Sequence, residues 1–477
     1  MSDPRNYESP LSSRYASRAM RENFSAHRKF TTWRKLWIAL AESEKELGLP
    51  ITDEQVAELR AHAEDVDHEL AARYERELRH DVMAHIHAWG ERCTKARGII
   101  HLGATSCYVT CNAELIAMRE GLRLLRAELV NVARRLRGFA LEWRSLPTLG
   151  LTHYQPAQAT TVGKRACLWL QDVLFNLEDL DHAGRQIRFR GVKGTTGTQA
   201  SFLELFEGDH EKVRELDRRV TKKMGFERAF AVTGQTYPRQ LDFRVCQTLS
   251  AVAQSASKFA ADVRLSAGRR ELEEPFEEKQ VGSSAMPWKR NPMRCERMTS
   301  LARYVISSLD NLAHTAANQW FERTLDDSAN RRLAIAEMFL ATDAVLQLYL
   351  DVAGGLVVHP AVVRRNLMDE LPFLASELLM MEAVRAGADR QEAHERLRVL
   401  SRQASEAIHR GEGNPLRSLI GSDPLFRPLA GRLETLFAPE GFVGRAPEQV
   451  TEFVREEVDP VLARHAGIPE LAGDVRV

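Results

Sequence analysis

From Asn112 to Leu141, apolar side chains fall at Leu115, Met118, Leu122, Leu125, Leu129, Val132, Leu136 and Phe139, in alternating steps of 3 and 4. That seam has a 3.5-residue repeat and predicts a helix lying nearly parallel to its neighbours in a bundle. Pro147 follows and stops it. The rhythm returns at Leu170, Leu174, Leu177 and Leu180, after Pro156. It returns again from Val245 to Val263, ending before Pro275, then at Leu301, Val305, Leu309, Leu312 and Ala316, and finally from Ile335 to Ala353. The last two stretches are separated by polar Glu322–Ser328, with Ser328 expected to cap the final helix. The pattern predicts a bundle of about five long helices over residues 106–358.

The flanks carry shorter amphipathic patterns, at about 29–47, 53–63 and 66–92, and again beyond residue 359, where Gly411–Pro415 and Gly421–Pro424 mark turns. Strand-like alternation is nearly absent, so the expected class is all-α. The expected domains are 1–105, 106–358 and 359–477.

Composition narrows the options. Lys+Arg and Asp+Glu both number 66 in 477 residues, which argues against a role dominated by nucleic acid or anionic membrane. No run approaches the ~18 apolar residues of a membrane span, and the polar N-terminus, MSDPRNYESPLSSRYAS, does not read as a signal peptide. The six cysteines form no C-x-x-C and no disulfide framework. A reduced, soluble, cytoplasmic chain is the expectation.

Four segments break the apolar rhythm with residues that do chemistry. The first is Leu78–His87, followed by Gly103-Ala104-Thr105-Ser106. It holds three histidines, but at helical spacing only His80 and His87 share a face and no second cluster completes a site, so no metal is expected. His85 and His87 read as solvated, whereas Arg79-His80-Asp81 sets a carboxylate beside an imidazole, which fixes a tautomer or raises a pKa. The second is Thr152–Thr161, where His153 stands beside a proline turn as a candidate acid/base. The third, Gly191–Ser201, has three glycines that would let backbone approach a ligand, without the Walker or G-x-G-x-x-G pattern. The fourth, Gly282–Pro292, opens a long helix whose free N–H groups would suit an anion.

The loop GSSAMPWKRNP at 282–292 resembles the signature loop of the fumarase/aspartase superfamily. Its companions are SSRYAS at 12–17, LRHDVMAH at 78–85, LGATSCY at 102–108, THYQPAQ at 152–158, RGVKGTTGTQASFLELFEGD at 190–209, TGQTYPR at 233–239 and QWFERTLDDSANRR at 319–332. Together they resemble the adenylosuccinate lyase family in its animal-type branch, over about residues 12–460. The resemblance implies a three-domain all-α fold whose central helices assemble as a homotetramer with a twenty-helix core. Each active site would draw loops from three subunits. The implied reaction is a C–N lyase elimination of fumarate from a small succinylated purine nucleotide, with no organic or redox cofactor.

The resemblance also implies roles. Ser283 would be the base, activated by Lys289 and local N–H groups, and His153 the acid for the departing nitrogen. His80 would assist at the substrate, and Lys289 would steady the dianionic intermediate. Thr105, Ser106, Thr152 and Gln235 would hold the succinyl carboxylates. Arg14, Tyr15, Arg297, Ser328 and Arg332 would grip the phosphate and its surroundings, and Arg79, Asp81, Asn291 and Arg323 would complete the substrate contacts. The chain departs from the family pattern at Thr110-Cys111, where Gly-Asp is expected, and at Trp288, where Tyr is expected. These departures leave open a paralogue acting on another succinylated amine. A non-catalytic relative is opposed by the intact Ser283, Lys289, His153 and His80.

Overall fold

The first seam lies on one helix, and all eight of its apolar positions are buried. The computed structural model describes residues 5–473, so the first four residues of the polar N-terminal stretch and the last four of the chain lie outside it. In chain order the elements that position the site begin with α1 (Ala26–Glu46), α2 (His68–Leu78), α3 (Asp81–Arg92) and α4 (Ser106–Glu142). A hairpin follows, β1 (Pro147–Thr152) and β2 (Gln155–Thr161), and then α5 (Val162–Gln186) and α6 (Gln240–Gly268). After them come β3 (Leu272–Glu273), α7 (Met293–Ala317), α8 (Asp327–Gly355) and β4 (Val357–Val358). The chain then enters α9 (Pro360–Leu374), α10 (Ser376–Arg385) and α11 (Arg390–His409).

Helices α4 to α8 are the five long ones, and the protein is all-α with two minor strand pairs. At 1.5 Å per residue α4 runs about 55 Å. Helix α8 is apolar all round, as expected of a helix surrounded by others, and α4, α6 and α7 pack against it. By length and composition α8 could cross a membrane, unlike any run expected from the sequence, yet most of it is buried inside the fold. Its N-cap is Asp326, not Ser328, which lies within the first turn.

Two further expectations are corrected. Residues 66–92 are two helices, because Arg79 takes a left-handed conformation (φ 53°) that ends α2, and His80 returns to extended backbone and caps α3. Residues 147–161 are a hairpin. Leu149, Leu151 and Ala159 on it pack into a second apolar cluster formed by the C-terminal helices, with Leu371, Leu379, Leu397 and Phe426. Burial of that root leaves the tip projecting.

Candidate active site

A cavity of about 610 Å³ opens where α3, α4 and the start of α8 meet. It brings together Arg79, His80, Asp81, Ser106, Arg323, Ser328 and Arg332, all singled out in the sequence. The capping role of His80 fixes its ring. Nδ1 accepts the Met83 amide at 3.4 Å, so the neutral imidazole carries its proton on Nε2, which faces Ser106 Oγ at 3.3 Å. The Asp81 carboxylate does not serve that ring as expected: it accepts from Arg332 at 3.0 Å and from the Val82 amide at 2.8 Å, and stands 3.8 Å from His80 Nδ1. Thr105 is the N-cap of α4 but makes no capping bond with its side chain. The Tyr108 amide is taken by the Thr105 carbonyl at 2.7 Å, so among the described residues the Ser106 and Cys107 amides are the ones left at the head of that 37-residue helix, beside the pocket and suited to a carboxylate.

The other two histidines of the segment go elsewhere. His85 is buried and stacked on Phe30 at 3.7 Å, not solvated, and burial pulls its pKa down to about 4. His87 stacks on Tyr74. The three rings diverge, and no group of three potential ligands forms a metal site among the described residues.

The pocket wall continues into a largely buried ionic layer, of which only Arg323 and Gln235 are singled out in the sequence. Arg331 donates to Asp242 at 2.7 Å, to Glu114 at 2.8 Å and to the Tyr237 hydroxyl at 2.6 Å, and that hydroxyl donates to Asp242. Burial works against the Arg331 charge, but Asp242 and Glu114 hold its pKa well above the usual value. Arg239 pairs with Asp327 at 2.7 Å. Arg323 donates to Gln235 at 2.6 Å and to Cys107 Sγ at 3.1 Å. Arg239 and Arg331 stand inside the 233–239 and 319–332 motifs, so their signal was present. Lys29, whose pKa burial lowers, lines the same pocket from an ordinary amphipathic helix and gave none.

The glycine-rich loop packs its backbone against the protein itself. A Cβ at Gly197 would stand 1.9 Å from the Thr233 carbonyl. Arg190 donates to the carbonyls of Gly191 and Gly194, and Asn112 receives the amides of Arg190 and Gly191.

Ser283, Lys289 and Asn291 lie on the exposed 282–292 loop. Ser283 Oγ accepts the Met286 amide at 3.1 Å, Asn291 donates to the Gly282 carbonyl at 2.8 Å, and a Cβ at Gly282 would meet the Lys289 carbonyl at 2.3 Å. Local N–H groups thus reach the serine oxygen, while among the described residues no hydrogen bond joins it to Lys289. Trp288 is 77% exposed. The head of α7 is closed to an outside anion, because Glu274 accepts the amides of Arg294 and Cys295 at 3.0 and 2.9 Å. The expected anion seat is therefore occupied, and the open one is on α4.

His153 and Tyr154 form the hairpin tip, both with positive φ (54° and 59°), flanked by Thr152 paired with Gln155. All four are exposed. Arg14 and Arg297 flank the Tyr15 ring at 6.0 and 5.9 Å. Among the described residues, no hydrogen bond or ion pair links the hairpin tip or the 282–292 loop to the His80–Ser106 pocket.

A lyase family model matches residues 14–307, and a model for the adenylosuccinate lyase C-terminus matches residues 372–453. The chain is 52% identical to an adenylosuccinate lyase of Saccharomyces cerevisiae over 97% of both chains, and 48% identical to one from Schistosoma mansoni over the same shares. An adenylosuccinate lyase of Pyrococcus abyssi is 32% identical over 93% of this chain and 97% of its own. Among solved structures, a 3-carboxy-cis,cis-muconate lactonizing enzyme from Pseudomonas putida superposes with TM-score 0.81 at 22% identity, covering 96% of this chain and 99% of that one. A fumarate lyase from Mesorhizobium gives 0.79 at 23%, covering 93% and 99%.

Proposed function

The chain belongs to the adenylosuccinate lyase family, and from that premise we propose how its residues divide the work. The reaction is β-elimination of fumarate from adenylosuccinate, giving AMP, and from the succinylcarboxamide ribotide SAICAR, giving AICAR, in purine biosynthesis. Ser283 Oγ takes the proton from the succinyl carbon adjacent to a carboxylate. The released pair spreads into that carboxylate as a dianion, which Lys289 and backbone N–H groups steady. The pair then forms the fumarate double bond, the C–N bond breaks toward nitrogen, and His153 delivers the proton that nitrogen needs. Ser106, Thr105, Gln235 and the open head of α4 hold the succinyl carboxylates, with Thr152 from the hairpin. Arg332, Ser328, Arg297, Arg14 and Tyr15 hold the phosphate side, while His80, Arg79, Asp81, Arg323 and Asn291 complete the contacts.

The observation that carries this reading is the convergence of His80, Ser106, Arg323, Ser328 and Arg332, from three separate stretches of sequence, around one cavity. The proton-transfer groups stand apart from it, which supports a homotetramer whose sites combine loops of three subunits. So do the exposed apolar side chains on the long helices: Leu168 and Phe175 on α5, Leu265 on α6, Ile306 on α7 and Leu333 on α8. Three helical domains, 1–105, 106–358 and 359–477, fit that arrangement, as does a cytoplasmic setting.

The test is an absorbance assay of the purified protein on adenylosuccinate. AMP and fumarate in equal amounts support the reading, and no turnover on either purine substrate sinks it. Mixing His153→Ala with Ser283→Ala subunits tests the sharing: each variant alone is inactive, and activity returns on mixing only if one site uses two chains.

A further inference from the structure

The ionic layer in the pocket wall has more guanidinium than its carboxylates reach. Arg190 is fully buried, yet it bonds only to carbonyl oxygens, and among the described residues no carboxylate pairs with it. Its Nε has no hydrogen-bond partner, and neither has Nη1 of Arg239, although both atoms are buried. Arg239 has one carboxylate, Asp327, on Nε. Its Nη2 points instead at Cys111 Sγ, 3.7 Å away. Cys111 is 1% exposed, on the inner face of α4, one turn beyond Cys107.

We propose that Cys111 is a buried thiolate, its proton given up to solvent, and that it is the positioning residue that holds Arg239 in the wall of the substrate pocket. The path to the substrate is short. Arg239 holds Asp327, the first residue of α8, and the same first turns of α8 present Ser328 and Arg332 to the pocket. This role rests on the assignment of that pocket to the succinylated nucleotide, whereas the ionisation of Cys111 does not.

The charged and titratable groups facing Cys111 come from several elements: Cys107 and Glu114 on α4, Arg190 from the loop after α5, and Arg239 just before α6. Burial pushes the Cys111 thiol up, but the neighbouring Cys107 thiol and the Arg239 charge more than offset it, and the net direction is down. Each of the other five cysteines is buried and pushed up. One thiolate in the native protein is therefore the expectation, and it needs no variant to be seen.

The experiment follows thiolate ultraviolet absorbance of the full native chain from mildly acidic to alkaline pH, in the natural protein, Cys111→Ser, Cys107→Ser and Cys111→Asp. The natural protein and Cys107→Ser should show one thiolate below the ordinary cysteine range, and Cys111→Ser none. Steady-state kinetics supply the second readout. Cys111→Ser should raise KM about tenfold, the loss of one charge-assisted hydrogen bond, with kcat changed much less. Cys111→Asp should restore KM and remove its rise on the acid side of neutrality. Absence of a native thiolate, or a thiolate that survives Cys111→Ser and disappears in Cys107→Ser, overturns the proposal. Should Cys111→Ser fail to fold, the native titration and the Cys111→Asp pH profile still decide it. A protein inactive on both purine substrates but carrying the thiolate would sink the pocket assignment and leave the ion pair standing.

Discussion

The pocket around His80 and the loop around Ser283 are built in opposite ways. In the pocket three functional side chains are held by partners within one chain, His80 by the Met83 amide, Arg332 by Asp81 and Arg323 by Gln235, beside a layer of buried Arg–Asp pairs. The 282–292 loop is fastened by the Asn291–Gly282 bond and the Arg290–Glu273 ion pair, and the hairpin by its apolar root, while Lys289 and His153 project. Binding geometry is thus fixed early, by folding of the subunit. On the proposed division of roles, the proton-transfer groups would wait for assembly and substrate. Catalytic positioning that gains from late closure belongs on such segments.

Four measurements would break or sharpen that contrast. Replacing His153 with Ala should lower kcat by about 10²–10⁴-fold and leave Tm almost unchanged, since the ring is exposed. A large Tm drop would mean that the tip is structural. Replacing Arg331 with Ala should do the reverse, leaving the buried Asp242 carboxylate without its cation and costing about 3–5 kcal/mol of stability, read by chemical denaturation. Acid should act through two histidines. His85 and His101 both have pKa values lowered to about 4, by burial foremost. A base whose folded pKa lies below its unfolded value contributes stability that is present above pH 6.5 and lost as pH falls toward 4. Each should therefore cost about 2 kcal/mol by pH 5, and His85→Phe should blunt the loss. The smallest effect is expected from Arg332→Ala, an exposed partner of Asp81, which should raise KM several-fold, about 1 kcal/mol, with kcat nearly constant.

The same contrast explains what the sequence made legible. The 3,4 seam of α4 was readable because eight positions repeat one spacing, and each is buried. The break between α2 and α3 was not, because Arg79 makes the left-handed turn that Gly or Asn would have announced. The hairpin was hidden for a related reason: a two-residue tip with both φ angles positive usually reads Asn-Gly, and here it reads His-Tyr. Pocket residues within long motifs were found with their neighbours. The head of α7 is not open to an anion, since Glu274 folds back onto it from 20 residues upstream, a pairing that no local pattern encodes. The buried cations Arg190 and Arg239 lie in quoted motifs, but their burial depends on packing between distant stretches of chain, which no local pattern encodes.

The His153–Tyr154 tip has one more implication. Two side-chain-bearing residues stand in a backbone region where L-residues are rare, at a cost of order 1 kcal/mol or more each. A Tyr154→Gly chain would relax there and should melt at a slightly higher temperature, yet it would free the imidazole to swing and turn over more slowly. Durability and catalytic output would then move in opposite directions from a single substitution, marking this bend as torsional tension held in reserve for aim.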